Sequence, residues 1–171
     1  MVFLGYSLFL ILLFTVQTTW LGLFSVAGVT PDLALIFAPY CGIYFQGNAG
    51  VALAGVTGFL QDCLSGGLLG VNMLSKSLIG LFISNLKDQL LLENVPTVCL
   101  LLALTSFFDG LVYYAVCAIL LKGGAPEGFL FPALPVFAVY NAVAGPVLFL
   151  VLNRVKKRFQ RKDSTSSLRS L

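Results

Sequence analysis

The chain has 171 residues, of which 58% are hydrophobic and 10% charged, with a mean hydropathy of +0.98 and a formal net charge of +3. This lies far from soluble globular composition and predicts an all-α, polytopic integral membrane protein. The lack of histidine excludes imidazole catalysis, imidazole proton relays and histidine metal sites, leaving Asp, Lys, Ser and Cys chemistry formally open.

Hydropathy and helix breakers divide the sequence into six candidate transmembrane helices: Phe3 to Phe24, Pro31 to Phe45, Ala49 to Leu64, Leu68 to Leu86, Val98 to Leu121 and Phe129 to Leu152. The first lacks a positive n-region, and its apolar run is longer than a signal-peptide core. It therefore reads as an uncleaved span, although Ser25-Val26-Ala27 weakly resembles a cleavage site. The second opens on Thr30-Pro31-Asp32: Thr suits a cap, Pro the first helical position, and Asp the positive helix end. Pro39 predicts a kink in it. The second and third segments are short for full spans and need neighbours to cover their ends.

In the third segment Gly55, Gly58 and Asp62 share one helical face, with Ala54 beside them, forming a small-residue track that lets another helix approach closely. Gly66, Gly67 and Gly70 supply a tight turn and a close approach at the start of the fourth, which carries Asn72 and Lys76. The fifth carries Asp109 and the sixth Asn141. Cys41, Cys63, Cys99 and Cys117 lie in apolar stretches without a C-x-x-C pair and read as small membrane-buried hydrophobes.

Eight of the ten Lys and Arg residues fall on one side: Lys87 between the fourth and fifth segments, and Arg154, Lys156, Lys157, Arg158, Arg161, Lys162 and Arg169 in the tail. By the positive-inside rule both termini are expected in the cytoplasm. The division is a transmembrane domain over residues 1–153 and a basic, Ser-rich tail over 154–171 with a disordered end. Lys122 is the single basic residue of an outer loop, and the short outer connections leave no extracytoplasmic domain. In this orientation Asp62 lies near the outer end of its helix, Asn72 and Lys76 in an outer half, and Asp109 and Asn141 near mid-depth. A polar cluster of Asp62, Asn72, Lys76, Asp109 and Asn141, displaced toward the outside, is expected.

Ionisable groups at membrane depth are expensive and face the protein interior or a cavity. Asp62 and Asp109 compete as the buried partner of Lys76, while the bland alternative leaves Asp62 in interfacial water and lets Lys76 snorkel outward. Ser75 beside Lys76 is a poor nucleophile–base pair, because consecutive helical residues point about 100° apart. The basic tail reads as a topology anchor attracted to anionic lipid, and with no interleaved aromatic platform it does not indicate nucleic-acid binding.

The segment from Pro31-Asp32-Leu33 through Phe82, and within it D-C-L-S-G-G-L-L-G-V-N from Asp62 to Asn72, resembles the core signature of the bacterial rod shape-determining MreD family. The stretch LTSFFDGLVYYA with Asp109, and Tyr140-Asn141-Ala142-Val143 before Pro146 and the basic exit NRVKKRF, continue the resemblance in order. It implies a non-enzymatic, cofactor-free inner-membrane scaffold that pairs with MreC and connects to MreB filaments, RodA and a class B penicillin-binding protein in side-wall peptidoglycan synthesis. The family fold is similar to the six-helix substrate-binding subunits of energy-coupling-factor vitamin transporters, which makes a small-molecule transport subunit the rival reading. Lys76 departs from the apolar or small residue that the resemblance implies there. Gly55, Gly58, Asp62, Gly66 and Gly70 are the expected partner-binding or helix-packing residues, with Asp109 and Asn141 as internal polar glue. An intramembrane enzyme using Asp62 and Asp109 is the third alternative.

Overall fold

A computed structural model describes residues 2–19, 29–45, 47–66, 68–89, 94–120 and 133–167, with side chains described from Phe9 to Lys156 within those ranges, except that of Gln89. The Ser25–Ala27 site, Gly67 and the Lys122–Gly128 loop lie outside the described residues.

The described chain is helical: α1 (Val2–Thr19), α2 (Leu33–Tyr44), α3 (Asn48–Ser65), α4 (Val71–Leu86), α5 (Val95–Leu120) and α6 (Ala133–Ser167), with a short 3-10 turn at Lys87–Gln89. Both α5 and the Ala133–Lys156 part of α6 are long and apolar enough to cross a membrane. The last helix continues through Pro146 and past residue 153, so the first part of the tail prolongs it.

The fold is organised around α2. It has only 12 residues, roughly 18 Å at 1.5 Å per residue, against a hydrocarbon core of ~30 Å. Nine of those residues, Ala34 to Gly42, are buried, and α2 packs against all five other described helices. Leu35, Ile36 and Phe37 meet Leu10, Leu13 and Phe14 of α1, Ile79 and Ile83 of α4, Leu101 and Leu102 of α5, and Phe149 and Leu152 of α6 in one core. Tyr40 adds an edge-on contact with Phe149 at 5.4 Å between ring centroids. A helix this short survives because protein rather than lipid surrounds it. The helix runs on through Pro39.

The most extensive pairing is between α3 and α4, and its closest point is Gly58. A Cβ there would stand 2.3 Å from the Asn72 carbonyl oxygen and 2.8 Å from the Met73 Cα, both backbone atoms that cannot step aside. Gly55 faces Ser77 in the same way, and Ala54 touches Gly80. The small-residue track of α3 is therefore occupied by α4 of the same chain. The outward sides of α5 and α6 carry exposed Leu100, Leu104, Leu111, Val143, Val147 and Leu150, the composition of a surface that meets lipid or another helix.

In an unobstructed helix, Gly→Ala gains roughly 0.5–1 kcal/mol. Gly58→Ala is expected instead to destabilise by about 1–3 kcal/mol through the forced separation of α3 and α4, read as a lowered melting temperature in detergent. Val56→Ala, on the exposed side of the same helix, is expected to stay within about 0.5 kcal/mol of the wild type.

Candidate functional site

Two helix starts, that of α2 buried in the bundle and that of α4 beside an exposed turn, generate the polar cluster. The first is that of α2, whose cap is Asp32 rather than Thr30. Asp32 Oδ1 accepts from the Ala34 and Leu35 backbone N–H groups at 2.9 and 3.1 Å. Gln17 of α1 and Gln61 of α3 donate to its two carboxylate oxygens at 3.2 and 2.8 Å. The Asp32 backbone N–H donates to Asn141 Oδ1 at 2.9 Å, and the Asn141 amide donates to Ser106 Oγ at 3.0 Å. Asn141 is fully buried, so both ends of its amide are engaged and α6 is locked to α2 and α5 through it.

The second helix start is that of α4. Gly66 ends α3 with φ +64° and Gly70 opens α4 with φ +96°, left-handed conformations that favour glycine. The resulting tight reversal sets Asp62 over the new helix. Its carboxylate accepts from Gly70 N at 2.9 Å, Asn72 N at 3.1 Å and Met73 N at 3.0 Å, and from the Asn72 side-chain amide at 2.9 Å. Asp62 is 1% exposed, and it places a negative charge where the free N–H groups and the helix dipole favour one.

Lys76 joins the two. Its ammonium lies 3.2 Å from Asp32 Oδ2 and 3.0 Å from Asp109 Oδ1, and donates to Asn72 Oδ1 at 2.6 Å. Ser75 Oγ also donates to Asp109 Oδ1. Lys76 is 0% exposed, which corrects the snorkelling alternative. The pairing with Asp62 is likewise corrected: Asp62 is committed to the α4 N-terminus and reaches Lys76 only through Asn72. An ammonium has three donors, and here three acceptors match them. The formal excess of one carboxylate over Lys76 is balanced in part by the α2 dipole at Asp32, worth about half an elementary charge.

The family of rod shape-determining protein MreD matches residues 1–155. The chain belongs to the MreD family. No curated protein and no solved structure gives a match. Membership places the chain in a membrane-protein family of cell-shape determination.

The MreD-like stretch from Asp62 to Asn72 now has a physical content. Asp62 is the anion, Gly66 and Gly70 are the two left-handed turns that bring it over α4, and Asn72 hands the network on to Lys76. Asp62, Asn72, Lys76, Asp109 and Asn141 fall into one connected network, but Asn141 enters it through the Asp32 backbone rather than through Asp109 or Lys76 directly. Gly66 is exposed at the turn, while Gly55 and Gly58 face α4.

Sequence reasoning gave Asp32 only a capping role and passed over Gln17, Gln61 and Ser106. Ser106 and Asp109 stand at i and i+3, one face of α5, which was a legible signal. Gln17 and Gln61 each interrupt an apolar run, but nothing local indicates that both turn toward Asp32. Their Oε1 atoms are buried with no hydrogen-bond partner among the described residues. Ser75 and Lys76 converge on one oxygen, Asp109 Oδ1, despite their angular separation.

Replacing Asp62 by Asn supplies one acceptor oxygen but turns an NH2 group toward backbone N–H donors. The expected loss is about 2–4 kcal/mol, comparable to one or two buried donors left unsatisfied, with hydrogen exchange rising first at Gly70 to Met73. Lys76→Met strands two carboxylates and is expected to lose about 3–5 kcal/mol. Combining it with Asp109→Asn is expected to lose less than the sum of the single changes by about 0.5–3 kcal/mol, measured by thermal melting of all four proteins.

Proposed function

We propose that this MreD-family chain is a six-span, non-enzymatic scaffold of the bacterial cell-elongation machinery, with both termini in the cytoplasm. It binds MreC through helix–helix contacts within the inner membrane. Through that pair it connects to MreB, RodA and a class B penicillin-binding protein, and so helps position peptidoglycan synthesis along the side wall.

The observation that carries this reading is the saturation of Lys76. All three ammonium donors meet acceptors of the same chain, and Asp62 receives four hydrogen bonds from its own chain. A transporter subunit needs polar groups held ready for a ligand, whereas these are spent on one another. The hydroxyl of Ser75 donates to Asp109, so it is not activated by Lys76 as a nucleophile, and Asp109 is bound to a cation rather than poised as an acid. Rigid internal polar contacts with broad apolar exteriors on α5 and α6 suit a protein that presents helix surfaces to other membrane proteins.

Full-length tagged protein extracted from its native membrane in mild detergent, with everything retained identified by mass spectrometry, tests the proposal. Stoichiometric MreC is expected. A vitamin-like compound together with an ATPase-linked membrane partner, and no MreC, would overturn the scaffold in favour of a transport subunit.

A further inference from the structure

Where α5 begins and α6 leaves the bundle, the two helices and the end of α2 enclose a groove of about 380 Å³, within the ~300–1,000 Å³ usual for small-ligand sites. Its walls are Val95 and Val98 of α5, Pro146, Phe149 and Leu150 of α6, and Tyr44 of α2, with Asn153 at one end. The reason for the groove is visible one residue upstream. At Gly145 a Cβ would stand 1.8 Å from Leu102 Cδ1, so α6 touches α5 there, and the gap opens directly below, from Pro146 onward. Leu150 and Val95 on its two banks are 70% and 61% exposed, so the groove opens sideways toward the surroundings of the bundle.

The chemistry changes along its length. The deep part is aliphatic and aromatic. At the Asn153 end the Tyr40 hydroxyl donates to Asn153 Oδ1 at 3.3 Å, which leaves the Asn153 amide its donor group to offer. The Lys156 ammonium is held over the ring of Tyr44, 4.4 Å from its centroid, and Tyr44 is one of the groove's lining residues. Arg154 is exposed on the same turn, and among the described residues no carboxylate lines the groove. An apolar slot that opens sideways and ends in amide donors and cations is complementary to one kind of molecule: an acyl chain carrying a negatively charged headgroup.

We infer that the α5–α6 groove is a binding site for an anionic glycerophospholipid, its acyl chain along Val98, Phe149 and Leu150 and its phosphate against Asn153 and Lys156. The site differs from diffuse attraction to the basic tail because it needs one cation at one place and an apolar slot beside it. It is independent of the partner assignment and requires only that the chain lie in a bilayer. Its consequence is that lipid composition bears on how firmly α6, the longest helix, is tied to α2 and α5.

The test uses full-length protein reconstituted in nanodiscs containing equal amounts of phosphatidylcholine and phosphatidylglycerol, then released gently, with retained lipids identified by native mass spectrometry. Wild-type protein is expected to retain phosphatidylglycerol over phosphatidylcholine. Lys156→Gln is expected to reduce that preference roughly fivefold, the equivalent of one near-surface charge. Leu150→Trp, which fills the slot without touching charge, is expected to reduce retention of both lipids and serves as the second variant if Lys156→Gln folds poorly by thermal melting. Arg161→Gln with Lys162→Gln, further along the tail, is expected to leave the preference in place. Equal preference in wild type and Lys156→Gln would overturn the site, as would a loss of the same size in the tail variant, which would show diffuse attraction only. Retention of phosphatidylcholine alone, or a co-purifying polypeptide cross-linked at Leu150, would overturn it as well.

Discussion

A helix that starts inside the bundle must satisfy its first N–H groups there, and that constraint at α2 governs the rest of this structure. With 12 residues α2 is too short to place both ends at the membrane surfaces, and in hydrocarbon each unsatisfied backbone group costs several kcal/mol. Asp32 meets the need by accepting from Ala34 and Leu35. A carboxylate, however, brings a charge that itself needs a counter-ion, and Lys76 of α4 supplies it. The ammonium has two further donors, which Asp109 of α5 and Asn72 take up. Asn141 of α6 closes the account by accepting from the Asp32 backbone. Each polar residue in the cluster thus answers the unmet requirement of another, and the sequence of requirements begins at one helix end.

The same device appears at α4, where Asp62 satisfies three backbone N–H groups from the end of α3. Asn72 belongs to both arrangements, donating to Asp62 and accepting from Lys76. The starts of α2 and α4 are therefore one connected unit, and the close approach at Gly58 holds α3 against the first turn of α4. The outcome is an inner frame of α2, α3 and α4, against which α5 and α6 are fastened by Asp109 and Asn141, with their apolar sides turned outward.

How far this was legible in the sequence follows from the range of each interaction. The helices could be read because a span depends on local hydropathy, and the α3 track because Gly55, Gly58 and Asp62 repeat on one face. The identity of the neighbour filling that track was not legible. Spacing shows that a helix approaches closely, and only the turn geometry at Gly66 and Gly70 makes that helix α4. The cluster members Asp62, Asn72, Lys76, Asp109 and Asn141 stood out because each is polar in an apolar run. Their pairing did not, since depth along a helix was the only coordinate available and rotation about its axis was not. Asp32 was hidden by its own plausibility: as a helix cap near a span boundary it needed no counter-ion, until the short α2 put that cap inside the protein. Gln17 and Gln61 reach Asp32 from helices that only the folded arrangement brings together.

Why such a frame should be polar at all is a separate question, because replacing a buried ion pair by apolar side chains is often neutral or stabilising. In a bilayer, however, apolar side chains distinguish poorly between lipid and neighbouring helices, and close packing with directional polar contacts decides which faces meet. An apolar residue at position 76 would leave the register of α4 against α2 to packing alone. Lys76, held from three directions by Asp32, Asp109 and Asn72, allows one rotation and one depth. The expense of burying charge is thereby exchanged for a single arrangement of the described helices.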